Sequence, residues 1–153
     1  AKIPGLDVID MLRSIDFITI SFGFLFYFFG GYFLYSALFA AVGSAVDQEA
    51  DTQQFMLPVT IPMILALTTT MSVVQEPNGT LAFWMSMIPL TSPITMMARL
   101  PFGIPLWEVF LSGAILVATF FIVVGLAGKI YRVGILMYGK KVTWKELFKW
   151  LKY

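Results

Sequence analysis

Three runs of apolar residues, each long enough to cross a lipid bilayer as a helix, make up about half of the chain. They cover residues 17–46, 55–74 and 109–128. Each run is bounded by charged residues, which are Asp16, Asp47, Asp51, Glu76, Glu108 and Lys129. A helix needs about 20 apolar residues to span the hydrocarbon core, and lipid offers no partner to an unpaired backbone group. All three runs therefore predict membrane-spanning helices.

A fourth apolar stretch, residues 80–98, is interrupted by Pro89 and Pro93. Each proline removes a backbone donor and disfavours helix at the residue before it. Two interpretations stay open: a kinked fourth span, or two short helices around a break that form a re-entrant or interfacial hairpin. The prolines favour the hairpin, which we expect within residues 75–108.

Composition supports the membrane assignment and excludes several kinds of chemistry. Of the 153 residues, 59% are hydrophobic and only 12% are charged, against about 45–50% and about 25% in soluble domains. Cysteine and histidine are both absent, which removes disulfides, thiolate chemistry and the commonest metal ligands. We therefore expect an all-α integral membrane protein, and a membrane-embedded enzyme is disfavoured.

The distribution of positive charge predicts the orientation in the membrane. Seven of the ten Lys and Arg residues lie in the last 25 positions, and cytoplasmic segments are enriched in these residues. Residues 129–153 then form a cytoplasmic tail and residues 47–54 a cytoplasmic turn, while residues 1–16 and the hairpin lie outside. Lys2 and Arg13 fit slightly better inside, as a four-span arrangement would place them.

The basic tail contains a predicted short amphipathic helix. Thr143 and Glu146 have the spacing of a capping box. Four apolar residues follow at helical spacing, with lysines elsewhere on the helix; they are Trp144, Leu147, Phe148 and Leu151. A helix of this kind lies on a membrane surface or docks on a partner protein.

The predicted turn between the first two spans is acidic. Asp47, Glu49 and Asp51 are interpreted as water-facing residues or as partners of basic groups in the tail or in another subunit. Lys140 and Lys141 are the tail residues predicted to take part in such cytoplasmic contacts.

Small residues along the first span predict close helix packing. They are Gly23, Gly30, Gly31, Ser36, Ala37, Ala40, Ala41, Ser44 and Ala45. Small residues spaced four apart let membrane helices approach closely. Packing within one bundle and a dimer seam are both compatible with this spacing.

The second span carries the best predicted wall of a solute path. Thr60, Thr68 and Ser72 lie near one face of this span, which also holds Pro58 and Pro62. Their hydroxyls could bond a passing polar solute or simply the carbonyls of their own helix. Asp, Glu, Lys and Arg are absent from the three apolar runs, which disfavours a transporter driven by its own buried charges.

The order of these parts resembles the C-terminal half of type 2 ABC exporter permeases. The likeness rests on "AAVGSAVDQEADTQQ", "MIPLTSPITMMARL" and "AGKIYRVGILMYGKK". Within that family the chain is most similar to the NatB-like sodium-extrusion branch.

The resemblance implies spans four to six of a six-span permease half in the bacterial inner membrane. It implies an outer gate at the hairpin, carried onto Trp84, Pro89, Pro93 and Arg99. It also implies a separate ATPase subunit that binds ATP, and a second permease half that is identical or different. No cofactor bound by this chain and no nucleic acid are expected.

Two functions follow from the sequence. The first is a membrane-spanning permease segment of an ATP-driven exporter of an ion or small solute. The alternative is a noncatalytic anchoring or assembly subunit that binds its partner through the tail helix alone. Deletion of residues 143–153 separates them, because only the anchoring subunit would lose its partner entirely.

Overall fold

The computed structural model describes residues 9, 10, 13, 15–137, 139 and 142–152. From residue 15 onward, the described residues form six α-helices and no strand: α1 (Phe17–Ala45), α2 (Glu49–Gln75), α3 (Thr80–Met87), α4 (Ser92–Arg99), α5 (Leu106–Leu136) and α6 (Trp144–Trp150). A 3-10 turn, Leu100–Phe102, follows α4. The helices α1, α2 and α5 are long and apolar enough to cross a membrane. The predicted all-α membrane fold with three spans is confirmed.

The long helices extend beyond the apolar runs that predicted them. Glu49 and Asp51 lie in the first turn of α2, where carboxylates favour the positive end of the helix dipole. The predicted turn at residues 47–54 therefore shortens to residues 46–48. The helix α5 begins at Leu106 and continues to Leu136, past Lys129. An apolar run indicates which residues can face lipid. The helix itself can extend beyond that run, because backbone hydrogen bonds also form between polar residues.

Asp16 caps the start of α1. Its carboxylate accepts hydrogen bonds from the Thr19 amide at 3.2 Å and from the Thr19 hydroxyl at 2.5 Å. These hydrogen bonds, the one from the hydroxyl above all, hold the pKa of Asp16 below its ordinary value. The cap satisfies a backbone donor that the first helical turn leaves unpaired.

The helices α1 and α5 run in the same direction and pack side by side. Gly30 on α1 lies against Leu116 on α5, and the rings of Phe33 and Phe120 are 6.2 Å apart. Near the other end, Gly134 on α5 lies against the backbone of Ser44. The buried core follows this seam and continues into the hairpin; it comprises Tyr27, Leu34, Met96, Leu100, Ile104 and Leu116.

The helices α3 and α4 form a hairpin that packs against α1 and α2. An Arg99 nitrogen, Nη1, lies 2.7 Å from the Ser86 hydroxyl, although the two residues are 13 apart in sequence. One continuous helix would separate them by roughly 20 Å. The predicted break is therefore confirmed, and the alternative of a kinked fourth span is wrong. We call this end of the molecule the hairpin end, and the opposite end the tail end.

The helix α6 at the tail end packs on the long helices. The Trp144 ring lies 4.5 Å from the Phe55 ring of α2, and Trp150 is buried. The predicted capping box is wrong, since no side-chain cap bond forms at Thr143. The four predicted apolar residues do not share one environment, because Phe148 is 70% exposed whereas Leu147 and Leu151 are half-buried. Their contact with a membrane surface or a partner stays a prediction.

Candidate functional site

The hairpin end is organised around the guanidinium of Arg99, which is only 1% exposed. Its Nε donates to the Pro77 carbonyl at 2.6 Å, and Nη1 donates to the Ser86 hydroxyl at 2.7 Å. Its Nη2 donates to the Glu108 carboxylate at 2.7 Å. One side chain thus connects α4 to α3, to α5 and to the segment between α2 and α3. We call these four residues the arginine clamp.

The planar shape of guanidinium explains why an arginine occupies this position. It presents donors in fixed directions, so one buried group can satisfy three acceptors on three different segments. Removing the charges of Arg99 and Glu108 from water costs several kcal/mol per ion, and the cost is offset only when the geometry is good and the polar groups are bonded. The short distances and multiple partners of the clamp meet this condition.

Two further hydroxyls connect helices beside the clamp, one between α5 and the hairpin and one between α1 and α5. Ser112 on α5 donates to the Ser86 carbonyl at 2.6 Å. Tyr27 on α1 donates to the Val109 carbonyl of α5 at 2.8 Å. Both Ser112 and Tyr27 are fully buried. These bonds hold α1, α3 and α5 together at the depth of Arg99.

The tip of the hairpin reaches deep into the helix bundle. The Tyr35 hydroxyl donates to the Leu90 carbonyl at 2.5 Å, and Tyr35 lies about 27 Å along α1 from its start at ~1.5 Å per residue. Thr91 donates through its hydroxyl to the Met85 carbonyl at 2.5 Å, and Ser92 donates through its amide to Ile88 at 2.7 Å. Irregular backbone at membrane depth is tolerated only with such partners. The hairpin tip therefore lies beside the second half of α1.

Glycines on α1 allow the hairpin to approach this closely. A Cβ atom at Gly31 would lie 2.8 Å from the Pro93 Cβ, and one at Gly23 would lie 2.7 Å from Leu100. Neither separation is reached by real Cβ atoms. The predicted close approach at the α1 glycines is confirmed as packing within the bundle, whereas Ser36 and Ala40 remain exposed.

The four predicted gate residues do not form one cluster. Arg99 and Pro93 are buried in the hairpin, Pro89 is half-buried at its tip, and Trp84 is 61% exposed. The sequence predicts Glu108 as the boundary of the last span, but α5 begins two residues earlier and buries it. An isolated arginine in an apolar hairpin, followed nine residues later by a glutamate, was the signal of a buried pair.

The predicted path residues lie along α2, and the hydroxyls of the two threonines are turned to their own helix. Thr60 donates to the Met56 carbonyl at 2.9 Å, and Thr68 donates to the Leu65 carbonyl at 3.0 Å. Thr68 and Ser72 are exposed, and Thr60 is half-buried. Their role in lining a path stays a prediction.

The acidic residues lie at the tail end. The Asp47 carboxylate accepts a hydrogen bond from the Gly139 amide at 3.1 Å, so it contacts the tail through backbone. The ion pair of Arg99 and Glu108 is the only salt bridge within the residues that the structure describes. Lys140 and Lys141 lie outside those residues, and their predicted contacts stay predictions.

An apolar groove runs between α1 and α5 near the clamp. It has a volume of about 670 Å³, and Gly23, Tyr27, Val109 and Gly113 contribute to its walls. In the described part of the chain, no group of three or more acidic, His or Cys side chains could hold a metal ion.

The fold and the clamp define a multi-pass α-helical membrane protein whose hairpin is held by buried polar contacts. Residues 5–129 match the family described as "ABC-2 family transporter protein". The match covers most of the chain, and the chain belongs to that family. The predicted type 2 ABC permease class is thereby confirmed, whereas the NatB-like branch stays a prediction.

Two relatives with uncharacterised functions are similar to the chain. MJ1024 of Methanocaldococcus jannaschii is 30% identical over 82% of this chain and 31% of its own length. YhaP of Bacillus subtilis is 28% identical over 89% of this chain and 32% of its own length. The chain therefore spans about a third of the relatives it matches. No solved structure shows a significant match.

Proposed function

We propose that the chain is the hairpin-bearing part of a permease half in an ATP-driven exporter. The arginine clamp is the observation that carries this proposal, since it joins a re-entrant hairpin to one end of a spanning helix through a single buried ion pair. A hairpin held in this way closes one end of a membrane path. It opens when α5 moves relative to α4, because the pair lies between these two helices.

The orientation follows from the charge distribution. The lysine-rich tail supports a cytoplasmic tail end in a bacterial inner membrane, and the hairpin end is then the outer gate. The hydroxyl-bearing face of α2, with Thr60, Thr68 and Ser72, lines the path between two permease halves. The transported solute is an ion such as sodium or a small amphipathic compound.

Energy comes from a separate ATPase subunit that binds and hydrolyses ATP at the tail end. The contact includes Asp47, Glu49 and Asp51 on the short turn, and Lys140 and Lys141 in the tail. Support comes from the bond between Asp47 and the Gly139 amide, which joins the turn before α2 to the segment after α5. Movement of the ATPase subunit against this turn would therefore displace both α2 and α5.

Reconstitution tests this function. The complete permease that contains this chain is purified with its ATPase subunit and placed in liposomes. We expect co-purification, hydrolysis stimulated by the permease, and ATP-dependent solute movement toward the hairpin side. A pure, complete permease that binds no nucleotide-hydrolysing subunit would overturn the proposal.

A second arm tests the contact surface. Replacing Asp47, Glu49 and Asp51 together with Asn should leave membrane insertion intact and reduce the stimulation of ATP hydrolysis. Unchanged coupling in this variant would show that the three carboxylates only face water.

A further inference from the structure

The helix α6 presents two chemically different faces. On one face Trp144 packs its ring on Phe55 while remaining 41% exposed, and Trp150 is only 5% exposed. Leu147 on the same face is half-buried. The opposite face is exposed and carries Lys145, Phe148 and Lys149. The exposed Lys152 continues this i, i+3, i+4 and i+7 spacing in the turn that follows the helix. Residues at this spacing lie on one side of a helix.

The contact with Phe55 defines the depth at which α6 lies. Phe55 begins the apolar run of α2, directly after the polar sequence that contains Glu49 and Asp51. Because the Trp144 ring contacts the Phe55 ring, α6 lies where the polar start of α2 gives way to lipid-facing sequence. Tryptophans concentrate at such boundaries. In a bilayer that α2 spans, this boundary is the level of the lipid headgroups.

The exposed face matches an anionic bilayer surface in charge and shape. Three lysines surround one aromatic side chain that is 70% exposed. Lysine stems can run along apolar lipid while their ammonium groups reach the phosphates. Glu146 is the acidic residue of this helix, and its Oε2 atom is buried away from the exposed face. The exposed side of α6 therefore combines positive charge with an apolar aromatic ring.

We propose that α6 is an interfacial anchor that binds anionic phospholipid headgroups through Lys145, Lys149 and Lys152, with Phe148 inserted between the lipids. Trp144 and Trp150 fasten this anchor to α2 and the bundle. The anchor holds the tail end at a constant level in one leaflet. This proposal requires only that the chain lies in a membrane, so its test is independent of the proposed transport function.

Lipid-dependent quenching tests the anchor in the complete protein. Phe148→Cys is labelled with an environment-sensitive fluorophore in a cysteine-free background; the 153 residues themselves contain no cysteine. The protein is placed in nanodiscs of phosphatidylcholine alone or of a mixture with phosphatidylglycerol. Lipids with a nitroxide near the headgroup then report whether the label lies in the bilayer.

We expect strong quenching in the anionic mixture, weaker quenching in phosphatidylcholine, and a decrease with added salt. Each lysine changed to Gln should lower the ratio of inserted to water-exposed label about fivefold, corresponding to ~1 kcal/mol per basic residue near an anionic surface. K145Q/K149Q/K152Q should therefore lose insertion. K129Q/R132Q, which removes exposed charge from α5, is the matched control and should retain it.

Two results would overturn the proposal. One is quenching that is equal in the two kinds of bilayer, or quenching of K145Q/K149Q/K152Q that equals that of the protein with all three lysines. The other is a label that stays in water with lipid alone and becomes protected only when an ATPase subunit is added, since the face would then dock on protein.

Discussion

The guanidinium of Arg99 and the carboxylate of Glu108 meet at 2.7 Å between the last residue of α4 and the first turn of α5. Arg99 is 1% exposed and Glu108 is 9% exposed. Removing one partner of a buried pair leaves the other charge without compensation, whereas removing both leaves no buried charge. A single substitution should therefore destabilise the protein more than the double substitution does.

We expect Arg99→Met and Glu108→Met each to lower the free energy of unfolding by about 3–5 kcal/mol. The double variant should recover a large part of this loss, although Pro77 and Ser86 still lack their donor. Denaturant unfolding of the purified protein in mild detergent gives the coupling energy as a double-mutant cycle. Lys129→Met, at an exposed position of α5, is the control. Single losses near 1 kcal/mol or below, as for exposed ion pairs, would contradict a buried clamp.

Gly31 and Gly43 provide a matched test of close packing on one helix. A Cβ atom at Gly31 would lie 2.8 Å from the Pro93 Cβ, whereas one at Gly43 would meet nothing within 4 Å. We expect Gly31→Ala to cost about 1–3 kcal/mol through overpacking. Gly43→Ala should be neutral or stabilise by up to about 1 kcal/mol, because alanine favours helix. Thermal unfolding of both variants checks this, and equal melting temperatures would argue against contact between α1 and the hairpin.

Tyr35 satisfies a carbonyl at the irregular hairpin tip, while Tyr27 donates to a carbonyl within α5. Tyr35→Phe should leave the Leu90 carbonyl unpaired and cost about 1–3 kcal/mol. Tyr27→Phe should cost less, about 0.5–1.5 kcal/mol. Val109 lies inside α5, so its carbonyl can still accept the backbone hydrogen bond of the helix. Denaturant unfolding measures both losses. A greater loss for Tyr27→Phe would contradict a hairpin tip that depends on Tyr35.

The hydroxyls on α2 distinguish stability from transport. Thr60 and Thr68 bond carbonyls of their own helix, and such bonds contribute little to helix stability. Thr60→Val, Thr68→Val and Ser72→Ala should therefore change the melting temperature only slightly. If these residues line the path, solute movement in liposomes falls while basal ATP hydrolysis is maintained. Unchanged movement would show that the hydroxyls serve only their own helix.

The cap at Asp16 makes the start of α1 sensitive to acid. Hydrogen bonds from Thr19 lower the pKa of Asp16, so the cap contributes fully above the ordinary pKa of 3.8. Its contribution is lost as pH falls through the lowered pKa. Protection of the Thr19 amide from exchange, corrected for intrinsic pH dependence, should decrease in that range. Asp16→Ala should show low protection at every pH, and a wild-type protein without acid loss would exclude this cap.

Much of the fold could be predicted from local sequence. Runs of apolar residues predict spans because lipid requires both apolar side chains and internal backbone bonding. Pro89 and Pro93 predict the break because each lacks a donor and restricts its neighbour. The helix ends were less predictable, since Glu49 begins a helix outside the apolar run. Helix bounds depend on hydrogen bonds that composition does not record.

The clamp could be predicted only in part. Arg99 was singled out as a residue of the hairpin, but its partners lie on three other segments. Glu108 had the position of an ordinary boundary charge. Nothing in the spacing of Ser86 and Ser112 distinguishes a hydroxyl that bonds a hairpin from one that bonds its own helix.

The sequence by itself determined the membrane class, the three spans and the interrupted hairpin, because these follow from hydrophobicity and proline chemistry over short windows. The tertiary structure decided which charges are buried and which face of α6 is free. Arg99 becomes the centre of the site only because α3 and α4 double back and bring Ser86, Pro77 and Glu108 around it. Contacts between residues so far apart in sequence depend on how the helices pack, whereas hydrophobicity and proline patterns report only on residues that are close along the chain.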